Sequence, residues 1–454
     1  MGVPLQPTGT ESNKICDLEQ ISRRPLLKPG LSGRLWRVVC SQKKHVQNLS
    51  VLVCVNFLVA GLGFITKVKI ANTLGKAEFG LFAYGIAIAS YGAAIIGFGL
   101  NRTLVRDLIH FPKRQGQLVV SSLLLRGFMF LVVTLALLIW KYFSPAVSDL
   151  TWGVVLLIFG QSMLGLELKA VYDSWGKMSR HAVYNLIQRC VYFAAVWLMI
   201  MLSPRSLSVF WLGIFTISAV IFYMILQCKW AFNRIDFGGI SRSMYSATLG
   251  LARGNLIIWF STLGCLSFGI INQIILKFYE GKESLGGYAA AWQIVTIAML
   301  FLNQVARIGN PATARITKPG IEKTSRIKFL IKYSTVMFLV VFPVCLATII
   351  FPEMILRLIY KPEYASSAGV LRIMGIYMII YSLGFVASQY IISARMEKLY
   401  FTSVIIGGVL SILFCILLIP KSGGMGAAIS LLIAHGISMG LYWVAMILHV
   451  RNRE

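Results

Sequence analysis

Apolar residues in this chain stand in near-continuous blocks rather than alternating with polar ones. A block of about twenty is what an α-helix needs to cross the hydrocarbon of a bilayer, whereas strict alternation would mark the strands of a barrel. Six blocks lie near 48–72, 80–100, 118–140, 151–172, 182–203 and 207–228. Six more lie near 245–276, 286–309, 328–350, 370–393, 400–420 and 424–449. The pattern predicts an all-α integral membrane protein of about 12 transmembrane helices. It divides into a basic cytosolic tail (1–47), a first lobe (48–228), a cytosolic linker (229–244), a second lobe (245–449) and a cytosolic C-terminus (450–454).

Composition agrees: 57% of residues are hydrophobic and 13% charged, too much apolar surface for a soluble coat. The net charge of +27 changes the picture only through its placement. Nucleic-acid binding would need a basic soluble face, and here the Lys and Arg residues fall between apolar blocks. Counted over alternate loops with the N-terminus inside, 27 lie on one side and 8 on the other. Basic residues are retained in the cytoplasm, so both termini are assigned there, in a multi-pass arrangement. The tail lacks the apolar core of a signal peptide and is expected to be disordered. The eight scattered cysteines form no CxxC pair and the five histidines no ligand spacing, so no metal and no cofactor are expected.

Eight cations remain within or at the ends of spans, against a single acid, Glu167. An unpaired charge at the bilayer centre costs roughly 2.5 kcal/mol or more, so such residues face a wet cavity, pair, or snorkel. Arg126 and Arg253 lie deep in the third and seventh spans, and Lys67, Lys69 and Arg189 extend the set. A cavity rich in Arg and Lys accepts an anion, because guanidinium matches phosphate oxygens bidentately. On the eighth span Gln293, Thr296, Asn303 and Arg307 recur at helical spacing and suit sugar hydroxyls or helix–helix hydrogen bonds. The expected substrate-binding set is therefore Arg126, Arg253, Lys67, Lys69, Arg189, Gln293, Asn303 and Arg307, with Glu167 as the candidate coupling group and no catalytic residue.

The two lobes also resemble each other: EFGLFAYGIA (78–87) opens the second span and SLGGYAAAWQ (284–293) the eighth. Together with LGKAEFGLFAYGIAIASYGAAIIGFGLNR (74–102), LIYKPEYASSAGVLRIMG (358–375) and LLIPKSGGMGAAIS (417–430), the chain resembles the polysaccharide-transporter branch of the multidrug, oligosaccharidyl-lipid and polysaccharide exporter superfamily. The resemblance implies two pseudo-symmetric six-helix lobes around a central cavity. It also implies a bacterial cytoplasmic (inner) membrane location and outward flipping of a polyprenyl-diphosphate-linked oligosaccharide during surface polysaccharide biosynthesis. Two positions depart from the family pattern: Asn272 stands near where an aspartate is frequent, and Lys361 where glycine is usual.

The expected partners are the anionic lipid-linked oligosaccharide, membrane lipids and polysaccharide polymerase or ligase machinery, with no nucleic acid. A multidrug or cation antiporter of the same superfamily is the main alternative, and it needs membrane carboxylates that the sequence supplies only at Glu167. A membrane glycosyltransferase or ligase is the other, and the outer loops offer it no paired-carboxylate motif. No GxxxxGK[ST] loop is present for a built-in ATPase, and the expectation is a transporter, not an enzyme.

Overall fold

The computed structural model describes the backbone at residues 31–143, 149–235, 244–317 and 320–451, and side chains, with few exceptions, from Val51 onward. Residues up to Val51 form one unit and Leu52–Glu454 another. The tail expected to be disordered lies outside the described residues up to position 30 and is helical from Leu31.

Among the described residues all regular structure is helical, as hydrocarbon demands, because a helix satisfies its backbone hydrogen bonds internally. The first lobe comprises α1 (Leu31–Leu74), α2 (Lys76–Gly97), α3 (Leu100–His110), α4 (Gln115–Phe143), α5 (Trp152–Ser162), α6 (Lys169–Ser174), α7 (Met178–Leu202) and α8 (Val209–Phe232). The second comprises α9 (Met244–Leu266), α10 (Ile270–Ile316), α11 (Lys323–Ile350), α12 (Pro352–Ile359), α13 (Ala368–Ser393) and α14 (Glu397–Arg451). Among the described residues, eleven stretches are long and apolar enough to cross a membrane. The last of them, Lys398–Arg451, has 54 residues. At 1.5 Å per residue it would far overshoot a bilayer, and it folds back at Gly423, where φ is 54°, to make the twelfth crossing.

The lobes share a device at their first turn. α1 passes into α2 through Gly75 alone (φ 79°), and α10 breaks at Gly281 (φ 78°) where the seventh crossing passes into the eighth. Only glycine holds that left-handed region without a Cβ penalty, so one residue reverses the chain. The equivalence seen in EFGLFAYGIA and SLGGYAAAWQ is thus a structural one. Two blocks read as single elements are interrupted. The seventh crossing is cut before Gly269 (φ 98°), separating α9 from α10, and the fourth is cut by a tight turn at Met163–Leu166. The second ends at Phe98 and Gly99, both left-handed, and the loop expected after it contains the short helix α3.

Candidate functional site

A cavity of about 740 Å³ lies between the lobes, walled by α1, α2, α7, α10 and α13. Each wall exists because one helical face carries its lining residues. Asn56, Gly63 and Lys67 recur on α1 at spacings of seven and four, and Gln293, Thr296, Leu300, Asn303 and Asn310 recur on α10 at three, four, three and seven. Lys67 and Arg189 are the cations among its described lining residues, and no carboxylate stands with them there. Gln293 Nε2 donates to the Phe64 carbonyl at 3.1 Å, tying α10 to α1. Five buried polar atoms on the lining have no partner within the protein: Asn56 Nδ2, Arg189 Nε, Gln293 Oε1, Gln304 Oε1 and Asn310 Oδ1. Orphaned polar groups cost roughly 1–3 kcal/mol each in a protein interior, and α1, α7 and α10 bring these to one cavity, where a polar ligand can meet them. Phe64, Phe82, Trp292 and Phe385 supply flat apolar faces between them.

The cavity is sealed at the end where α1 turns into α2. Gly80 and Gly286 face each other across the lobes: a Cβ on Gly80 would strike the Lys282 carbonyl, and one on Gly286 the Lys76 carbonyl. Around this backbone seam, Asn72 donates to the Ile359 carbonyl and accepts from the Lys361 N–H, both at 3.0 Å, and the Tyr364 hydroxyl donates to the Ala71 carbonyl at 3.1 Å. Lys76 Nζ donates to Ser366 Oγ at 2.8 Å, and the ion pairs Lys277–Asp149 (3.1 Å) and Lys282–Glu78 (3.4 Å) complete the closure.

Of the residues expected at the site, Lys67, Arg189, Gln293 and Asn303 line this cavity. Arg126 does not. It is 1% exposed and donates to the Glu167 carbonyl and, at 2.8 Å, to Asn101 Oδ1. The reason is the broken fourth crossing: Glu167 leaves helical geometry (ψ 143°), its carbonyl has no helical partner, and Arg126 supplies one. The Glu167 carboxylate accepts from Asn101 Nδ2 at 3.2 Å and from the Tyr223 hydroxyl at 3.4 Å, with His181 Nε2 at 3.8 Å. Glu167 and Arg126 are therefore members of one buried network inside the first lobe, off the cavity. Arg253 is exposed and lies off the cavity lining, so the matched pair expected with Arg126 is not assembled. Lys69 turns away and stands over the Trp197 ring, 5.0 Å from its centroid. The Arg307 side chain lies outside the described residues.

The sequence profile of the polysaccharide biosynthesis protein family matches residues 45–317, more than half of the chain. The chain belongs to that family. Among its relatives is an Escherichia coli K12 protein described as an O-antigen transporter, 23% identical over 435 residues, covering 91% of this chain and 98% of that one. A Haloferax volcanii protein described as a low-salt glycan biosynthesis flippase is 20% identical over 394 residues, covering 86% and 81%. In fold the chain is similar to an inward-facing multidrug resistance MATE transporter of the MOP superfamily (TM-score 0.69, 13% identity, 87% and 94% covered).

Both departures from the family pattern are explained by their settings. Asn272 is fully buried, donates to the Ala427 carbonyl at 3.1 Å and accepts from Ser411 at 2.9 Å, so a neutral amide joins α10 to both halves of α14. Lys361 has ordinary extended backbone (φ −62°), which needs no glycine. The cavity residues that the reading of intramembrane charge overlooked are amides: Asn56, Gln273, Gln304, Asn310 and Gln389. The face begun by Gln293, Thr296 and Asn303, continued at the same spacing, reaches Asn310.

Proposed function

We propose that this family member is a flippase that carries a polyprenyl-diphosphate-linked oligosaccharide from the cytoplasmic to the outer leaflet by alternating access. The observation that carries the reading is the cavity lined by Lys67 and Arg189 together with five unpartnered polar atoms and no described carboxylate. Two like charges in a low dielectric call for an anionic counterpart, and a diphosphate provides one. The amides beside them suit sugar hydroxyls, and the aromatic faces suit sugar rings. In this reading both termini are cytoplasmic and the seam at Gly80 and Gly286 is the outer gate. The headgroup enters from the cytoplasm while the polyprenyl tail stays in lipid, and the lobes then rock to open the seam.

A headgroup of two negative charges leaving a negative interior gains about 4 to 5 kcal/mol at 100 mV, enough to drive export without a coupling ion. Glu167, in its first-lobe network, is the one intramembrane acid offered for coupling and stands off the cavity; a carrier of organic cations would place an acid in the cavity itself.

The test is headgroup accessibility in liposomes holding the purified protein and a fluorescent polyprenyl-diphosphate oligosaccharide. Lys67→Ala and Arg189→Ala are each expected to slow flipping about tenfold or more, the worth of a charge-assisted hydrogen bond, with the fold retained. Wild-type protein that leaves the lipid in place under an imposed potential and either ion gradient would sink the proposal.

A further inference from the structure

On the membrane face of the second lobe, α11 and α14 flank a groove of about 660 Å³ floored by Leu383 of α13. Its walls are apolar: Ile327, Ile331 and Phe338 recur on one face of α11, and Trp443, Met446 and Ile447 on the facing side of α14. Ile331 is 62% exposed and Ile447 55% exposed, so the groove opens toward lipid. Both flanking helices end in a cation at the same end of the groove, α11 beginning at Lys323 and α14 ending at Arg451. No carboxylate is among the described lining residues. Halfway along, Ser334 is 9% exposed and its hydroxyl has no partner within the protein.

A slot that is apolar along its length and cationic at its mouth has the chemistry of a lipid tail joined to an anionic headgroup. Basic pockets between membrane helices near the cytoplasmic surface select such headgroups. The groove is separate from the transport cavity, because α13 stands between them: Leu383 faces the groove while Phe385 and Gln389 line the cavity. A substrate whose diphosphate sits against Lys67 and Arg189 cannot also place it against Lys323 and Arg451. We propose that this groove binds one anionic phospholipid, its phosphate between Lys323 and Arg451 and an acyl chain along Ile327, Ile331 and Ile447. The orientation proposed above makes it a lipid of the inner leaflet. Held there, the lipid fixes the ends of α11 and α14 in the headgroup plane, giving the second lobe an anchor about which to rock.

Trp443 lies on the groove wall and reports occupancy directly. Full-length protein in liposomes of zwitterionic lipid doped with phosphatidylglycerol brominated on its acyl chain should show quenching that Trp443→Phe removes. Phosphatidylcholine brominated in the same way should quench that component far less. Lys323→Ala and Arg451→Ala should each weaken the phosphatidylglycerol preference about fivefold, since a basic residue near an anionic surface is worth about that factor. Ser334→Phe, which fills the groove and leaves both cations, should abolish the Trp443 component for either lipid. The lipid is present in both leaflets and no flipping is read, so the outcome is independent of the transport proposal. Equal quenching by the two lipids, or a preference untouched by removing both cations, overturns the inference. So does relief of quenching by a polyprenyl diphosphate at concentrations where phosphatidylglycerol is in excess, which would give the groove to the tail of a transported lipid.

Discussion

Lys67 and Arg126 are both intramembrane cations of the first lobe, and the structure gives them opposite tasks. Lys67 stands on a cavity wall with Arg189, while Arg126 is bound on two sides by the Glu167 carbonyl and Asn101. Their truncations should therefore separate. Lys67→Ala slows flipping and leaves the thermal unfolding midpoint in detergent near wild type. Arg126→Ala orphans a buried carbonyl and lowers stability by about 1–3 kcal/mol, read as an earlier midpoint of the same transition. If Arg126→Ala unfolds like wild type and stops flipping, Arg126 touches the substrate and the assignment reverses. What the sequence made legible here is that polar groups in a span have a reason to be there. It could not say which reason, because depth along a helix leaves the side chain's direction open. Asn303 shares a face with Gln293 and was found by that spacing. Arg126 answers a carbonyl exposed by a helix break at Met163–Leu166 that no charge or apolar count marks.

At the scale of elements, the apolar blocks located the crossings, because the bilayer itself reads length. The interruptions escaped that reading: the break before Gly269, the turn in the fourth crossing and the one-residue reversals at Gly75 and Gly281 are local backbone events inside apolar sequence. At the seam between α2 and α10 two helices meet main chain to main chain. A Gly80→Ala substitution adds a Cβ where the Lys282 carbonyl already stands, and overpacking of this kind costs about 1–3 kcal/mol. That cost falls only on the sealed state, so the population with the seam open should rise about fivefold or more. The measurement is labelling of Gln293→Cys by a membrane-impermeant maleimide added from outside. Gly286→Ala should act alike, since the contact is reciprocal. Unchanged labelling in both would remove the seam from the gating scheme.

For the molecule as a whole, the proposed export of a doubly charged headgroup can be driven by the membrane potential. With two charges moved, a potential of 100 mV sets an outer-to-inner headgroup ratio of about a thousand or more at equilibrium, by 1.4 kcal/mol per tenfold. Collapsing the potential in liposomes with an ionophore should return that ratio toward one. A ratio that instead follows the pH gradient and is lost in Glu167→Gln would place an ion in the cycle and the first-lobe network at its centre.

The meeting of Gly80 and Gly286 has one more consequence. A barrier made of side chains can part as rotamers swing, but main chain packed on main chain has nothing to swing away. Such a joint opens only when two whole helices separate. Because the contact is reciprocal, with Gly80 on the Lys282 carbonyl and Gly286 on the Lys76 carbonyl, it has to be broken on both sides together. A membrane that lives on its proton gradient can hold such a carrier at rest without leaking through it.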